Sequence, residues 1–132
     1  MSARVRFLRD RSGGSAVEFS LLAAIFFVML FGVFQLGLAL HYGASVRWAL
    51  ETSARSLLIS PTTTQAQLRS QMLGYLSDVP GANSVKVTLA SDISNPSAKV
   101  FKATSSYAYP LSVPLLPTYN LTFNASVTVP AA

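Results

Sequence analysis

Gly13-Gly14-Ser15-Ala16-Val17-Glu18-Phe19, running without a break into an uncharged segment that ends near Leu40, is the stretch that decides the fold. From Phe19 to Leu40 there is no Lys, Arg, Asp or Glu, and about 20 predominantly apolar residues are what a helix needs to cross the hydrocarbon core of a bilayer. One carboxylate, Glu18, stands at the rim of this run. Arg4, Arg6, Arg9 and Arg11 lie just upstream, offset only by Asp10. A basic cluster beside a membrane helix is attracted to anionic lipid headgroups and holds its end of the helix in the cytoplasm. Nucleic acid is the poorer partner for the net charge of +5, because no interleaving of aromatic and basic residues follows the cluster.

Composition agrees with a membrane segment carrying a small extramembrane unit. Of the 132 residues, 51% are hydrophobic and only 11% charged, against about a quarter charged in a soluble domain. The deficit is concentrated in Phe19–Leu40, so it reflects a lipid-facing helix rather than an unusually greasy globule. There is no cysteine, which excludes disulfides, thiol nucleophiles and thiolate metal sites.

Three kinds of targeting segment compete for the first 44 residues. A cleaved secretory signal has an apolar region of about 7–15 residues, shorter than this one. A plain signal anchor accommodates the length and leaves Glu18 unexplained. A prepilin-type leader, cut in front of a retained apolar helix, explains it. A carboxylate at the mouth of a membrane helix is costly unless it stays at the interface or finds a partner. A cut after Gly13 would free an amino terminus on Gly14, and Glu18 would become the fifth residue of the mature chain, roughly one turn away. The new ammonium of the same chain, or that of a neighbour in a bundle, would be its partner. Gly13-Gly14 leaves the cut uncertain by one residue; Gly13 is preferred because it puts Glu18 fifth.

Arg11-Ser-Gly-Gly-Ser-Ala-Val-Glu-Phe, followed by Ser20-Leu-Leu-Ala and by Phe31-Gly-Val-Phe-Gln-Leu-Gly37, resembles the TadE/TadF-type pilin-like proteins of tight-adherence (Flp-type) pilus systems. The resemblance is specific at the helix start and only general beyond it. It implies that a prepilin peptidase cuts after Gly13, that Gly14 opens the mature chain, and that Glu18-Phe19 is the family's acid–aromatic pair used in assembly. It implies partners as well: the peptidase, other pilin or pilin-like subunits, an inner-membrane assembly platform and anionic lipids. The expected role is a minor pilin-like subunit in the bacterial inner membrane, its N-terminus cytoplasmic and its C-terminal part periplasmic. Two alternatives are a membrane-anchored extracytoplasmic binding module and a pseudopilin of a type II-like secretion system. Removing residues 1–13 takes away four of ten basic residues and one of five acids, leaving the mature chain near +2.

The long helix should continue beyond the membrane. No Pro or Gly intervenes from Ser45 to Ser60, and Val46, Leu50, Ala54, Leu57 and Leu58 recur on one face. Arg47, Glu51 and Arg55 mark another face, with Glu51–Arg55 in the favourable order for an ion pair. Pro61 ends the run. Gly32, Gly37 and Gly43 are bend points or packing notches, and Gln35, the one amide in the span, is a candidate for a hydrogen bond across helices. A second, short helix is expected near Gln65–Ser77, with Leu68, Met72, Leu73 and Leu76 as its apolar face. Its capping box is either Thr64 with Gln67 or Thr62 with Gln65.

The rest reads as an antiparallel sheet of about three strands. Val85, Val87 and Leu89 alternate with polar residues; Lys99–Tyr109 puts Phe101, Ala103, Tyr107 and Tyr109 on one face; and Leu121 to Val129 alternate strictly with Asn and Ser/Thr. Asp92 to Ser97, with Asn95-Pro96, is turn chemistry. Pro110, Pro114 and Pro117 mark a bend that should not lie in a central strand. The expected fold is therefore α+β and pilin-like. Its parts are a leader (1–13), a long helix (14–60) crossing the membrane over about 19–40, and a head (61–132) packed on the helix's second half.

No residue is a strong candidate for catalysis. The carboxylates Asp10, Glu18, Glu51, Asp78 and Asp92 form no evident acid–base pair. His41 stands where the helix should leave the membrane, beside Tyr42 and Trp48, and reads as interfacial. No cofactor or metal site is expected.

Overall fold

The computed structural model describes residues 13–92 and 100–130 of the 132-residue chain. Arg4, Arg6, Arg9, Arg11 and Asp10, and the Asn95-Pro96 turn, lie outside the described residues. Helix α1 spans Gly14–Ala54, and a single turn at Arg55 separates it from α2, Ser56–Ile59. Helix α3 covers Gln65–Tyr75, a 3₁₀ turn follows at Ala82–Ser84, and three strands complete the chain: β1 Lys86–Asp92, β2 Val100–Leu111 and β3 Tyr119–Pro130. The protein is an α+β fold built on one long helix, a short helix and a three-stranded antiparallel sheet in the order β1-β2-β3.

The helix α1 is long because nothing in its sequence interrupts it until Pro61. Its two halves have opposite surroundings. From Val17 to Leu36 the large apolar side chains, the partly covered Val28 apart, stand exposed all round the shaft, and this part is long and apolar enough to cross a membrane. From Ala39 onward one stripe is covered: Ala39, Val46, Ala49, Leu50, Ser53, Ala54 and, in α2, Leu57 are buried. Small residues dominate the stripe, so the helix lies close on the sheet. Leu58 falls outside it and remains about half exposed, because it stands one residue, about 100°, round the helix from the buried Leu57.

The sheet has one apolar and one polar face. Val87, Ala103, Tyr107, Tyr109 and Val129 are buried under the helix, with Phe101, Leu121, Phe123, Ala125 and Val127 packed against the same core. The opposite face carries cross-strand polar rows such as Thr88–Thr104–Ser126. Ser105 lies on the inner face as a buried polar residue within an otherwise apolar alternation. Its hydroxyl and that of Ser53 make no hydrogen bond among the described residues. Helix α3 closes the far end of the core with Leu68, Met72 and Leu76, while Leu73 is only partly buried. The capping box is the one formed by Thr64: its hydroxyl accepts from the Gln67 amide at 3.3 Å, and the Gln67 side chain accepts from the Thr64 amide at 2.9 Å. Arg69 ties α3 to the start of β1 by donating to the carbonyls of Asn83 (2.7 Å) and Val85 (3.3 Å).

Two local expectations are corrected. The ion pair on α1 is Arg47–Glu51, at 2.9 Å, rather than Glu51–Arg55; the Glu51 carboxylate takes the partner four residues before it, Arg47, whose Nε donates to it. Pro110 does belong to the central strand, pairing with Asn120. The strand tolerates it because β1 ends at the Lys86–Ser106 pair. Beyond Ser106, β2 has a neighbouring strand on one side only among the described residues, and a missing amide on the open side breaks no ladder.

Candidate functional site

The candidate site begins at the junction of Gly13 and Gly14. Gly13 is the cap residue, with its carbonyl accepting from the Val17 amide at 3.1 Å, and Gly14 is the first helical residue. No side chain caps this end and no acid lies in its first turn. The first amides of a helix have no partner within it, and the aligned peptide dipoles leave the end partly positive. Glu18 comes four residues after Gly14, on the same face, about 6 Å further along the axis. Its side chain is exposed, as is that of Phe19, which keeps 72% of its surface accessible. Ser20 turns its hydroxyl inward to the Ala16 carbonyl at 2.7 Å, satisfying itself within the helix. Gly13, Gly14, Glu18 and Phe19 thus gather in the first turn and a half, all of them exposed.

Above this lies the bare shaft. Ile25, Phe26, Met29, Leu30, Val33 and Phe34 each keep half or more of their surface accessible. Apolar patches beyond a few hundred Å² are rare on soluble monomers and mark contact with lipid or with other chains. A prism of aromatic and aliphatic groups, with one carboxylate at its rim, is suited to packing and insertion rather than to bond-making.

The shaft ends where the head begins, and that boundary is polar. Gln35 accepts a hydrogen bond from the Tyr109 hydroxyl at 2.9 Å, and the Tyr109 ring sits 5.7 Å from that of Tyr42. The amide expected to reach another helix reaches the sheet of its own chain instead. Tyr107 is wholly buried, donating to the Pro80 carbonyl at 2.7 Å. Burial pushes its hydroxyl up from the ordinary value of 10.0, with Tyr109 and Tyr42 adding to the effect. Of the three tyrosines near the Pro-rich bend, two are therefore structural, and only Tyr119 is free at the surface. Gly43 is a packing notch: a β-carbon there would come within 2.6 Å of the Phe123 ring. Gly32 and Gly37 face open space. His41 is exposed beside Tyr42, and Trp48 packs edge-on against Tyr75 of α3.

The Gln35–Tyr109 contact was the functional pairing least visible in the sequence. The two residues are 74 positions apart, and the only signal was a lone amide in an apolar run together with a tyrosine on the inward face of a strand.

No curated protein and no solved structure matches the chain. One family does, and the matched segment is the one described above: the TadE-like protein family matches residues 13–55, from the glycine cap to the turn that ends α1. Over that junction and helix, about a third of the chain, the sequence is similar to the TadE-like protein family.

Proposed function

We propose that the protein is a minor pilin-like subunit that enters the inner membrane through the first half of α1, is trimmed after Gly13 by a prepilin peptidase, and then takes part in building a tight-adherence pilus. The observation that carries this reading is the coincidence of three boundaries. The family match opens at residue 13, the helix opens at Gly14, and an exposed carboxylate stands four residues later. Cleavage would place an ammonium at the partly positive end of α1, and Glu18 would neutralise it in the same chain or in the next. Phe19 would pack beside Glu18 on a neighbouring shaft. Arg4, Arg6, Arg9 and Arg11 would hold the leader on the cytoplasmic side against anionic lipid until it is removed. The head would then lie in the periplasm, in reach of the assembly platform and of other subunits.

The test is the intact mass of the subunit extracted from its native membrane. The expected product lacks Met1–Gly13. A subunit that retains its original N-terminus removes the ammonium and with it the proposed role of Glu18. Replacing Glu18 with Ala should leave trimming largely intact and reduce pilus assembly; normal fibres from that variant would also overturn the assignment.

A further inference from the structure

We infer that the β2–β3 turn is a second membrane contact, in which Leu115, Leu116 and Tyr119 enter the interfacial layer of the bilayer that α1 crosses. The inference rests on the reading of α1 as a membrane span.

The first argument is height. Phe123 lies over Gly43, and the Tyr109–Leu121 pair comes next along the hairpin, with Tyr109 bonded to Gln35. Moving from Phe123 towards Tyr119 therefore moves down the helix towards its N-terminus. Gln35 is five residues inside the end of the uncharged run at Leu40, about 7 Å at the helical rise. The turn lies further along the same direction, past the last pair of the hairpin, Leu111–Tyr119. A bilayer thick enough to cover Phe19–Leu40 must meet it.

The second argument is chemical. Leu115 is 89% exposed, Leu116 55% and Tyr119 59%. No charged residue occurs anywhere after Lys102, so no side-chain charge in the hairpin tip resists transfer to the interfacial layer, where its backbone polar groups can stay hydrated. Tyrosine at the edge of such a patch is the side chain that favours the headgroup layer.

The third argument is local strain. The Leu116 amide donates to the Val113 carbonyl at 3.1 Å, closing a four-residue turn with Pro114 second and Leu115 third. Leu115 has φ of +70°. That is the type II pattern, whose third position belongs to glycine or asparagine. A leucine there is unfavourable for the backbone, and in water it would be unfavourable for the side chain as well. Lipid removes the second penalty and gives the strained residue a use.

The absence of cysteine makes the test direct. The full chain carrying Leu115→Cys, Phe26→Cys or Thr62→Cys is spin-labelled and reconstituted in phosphatidylcholine/phosphatidylglycerol vesicles. Accessibility to oxygen and to a water-soluble nickel chelate is then compared. Residues 26, 115 and 62 are all exposed, so labelling leaves the core intact. The expected result is oxygen-favoured accessibility at 26 and 115 and chelate-favoured accessibility at 62, with the chelate reaching 115 several-fold less than 62. Chelate access at 115 equal to that at 62, while 26 stays oxygen-favoured, overturns the inference and spares the span. A label at 115 that is immobilised and reached by neither reagent points to a protein contact and also overturns it. Chelate access at 26 defeats the span and the inference together.

Discussion

At Gly43 a single missing side chain determines how closely the sheet lies on α1. The Phe123 ring fills the space a methyl group would take, so Gly43→Ala must push aside a ring that belongs to the core. Overpacking of this kind costs about 1–3 kcal/mol. Gly74, on the exposed side of α3 with no atom in reach of an added β-carbon, is the matching control: alanine there should gain up to about 1 kcal/mol from helix propensity. Thermal unfolding of the two variants should shift in opposite directions. Tyr107 offers a residue-scale test by pH. Its neutral form is favoured in the folded state, so its contribution to stability is full below its unfolded value near 10 and is lost as pH rises through the raised folded value. Alkaline titration of the intact protein should show stability falling above about pH 10, and the fall should be shallower in Tyr107→Phe. That variant should also be weaker at neutral pH by about 1 kcal/mol, for the lost bond to Pro80.

Among the elements, α3 is the one whose existence depends on both its ends and its packing. Eleven residues are too few to hold a helix in water unaided. Two threonines had equal claim to its cap by spacing, and the folded chain uses Thr64. Thr64→Ala should therefore destabilise the head by about 0.5–2 kcal/mol, while Thr62→Ala, at an exposed loop position, should be close to neutral. Denaturant unfolding of the pair distinguishes them. The Arg47–Glu51 pair on α1 is exposed on both sides, so it adds little to the stability of its helix. What holds the second half of α1 in place is the buried stripe from Ala39 to Ala54.

For the whole molecule, the head and the second half of α1 are one folding unit, because α1 is the main cover of the sheet's apolar face and α3 closes only its far end. A chain truncated to residues 35–132 keeps Gln35 and the entire stripe and should fold, with native-like circular dichroism and protected strand amides. A chain truncated to 61–132 leaves Tyr107, Val87, Leu68 and Met72 without their lid and should not fold. A folded 61–132 fragment would show that the sheet and α3 suffice, against the packing described. The part below residue 35 contributes no residue to this core; under the proposed function it would serve insertion and assembly.

The long apolar helix, its start at Gly14 and the strand alternation were legible in the sequence because each is a local pattern. A charge-free run of bilayer length, an acid at its rim and a period of two from Leu121 to Val129 need no distant partner to be read. Helix α1 and the strands accordingly lie where their periodicity put them. Which of two threonines caps α3, why Pro110 can stand in a central strand, and that Gln35 bonds Tyr109 rather than a neighbouring helix were decided only in three dimensions. Each depends on where one chain segment ends beside another: the β1–β2 pairing stops at Lys86–Ser106, and the hairpin runs down α1 as far as residue 35. Spacing along the chain carries no record of such heights, because they arise when the sheet closes onto the helix and its buried side chains select one register.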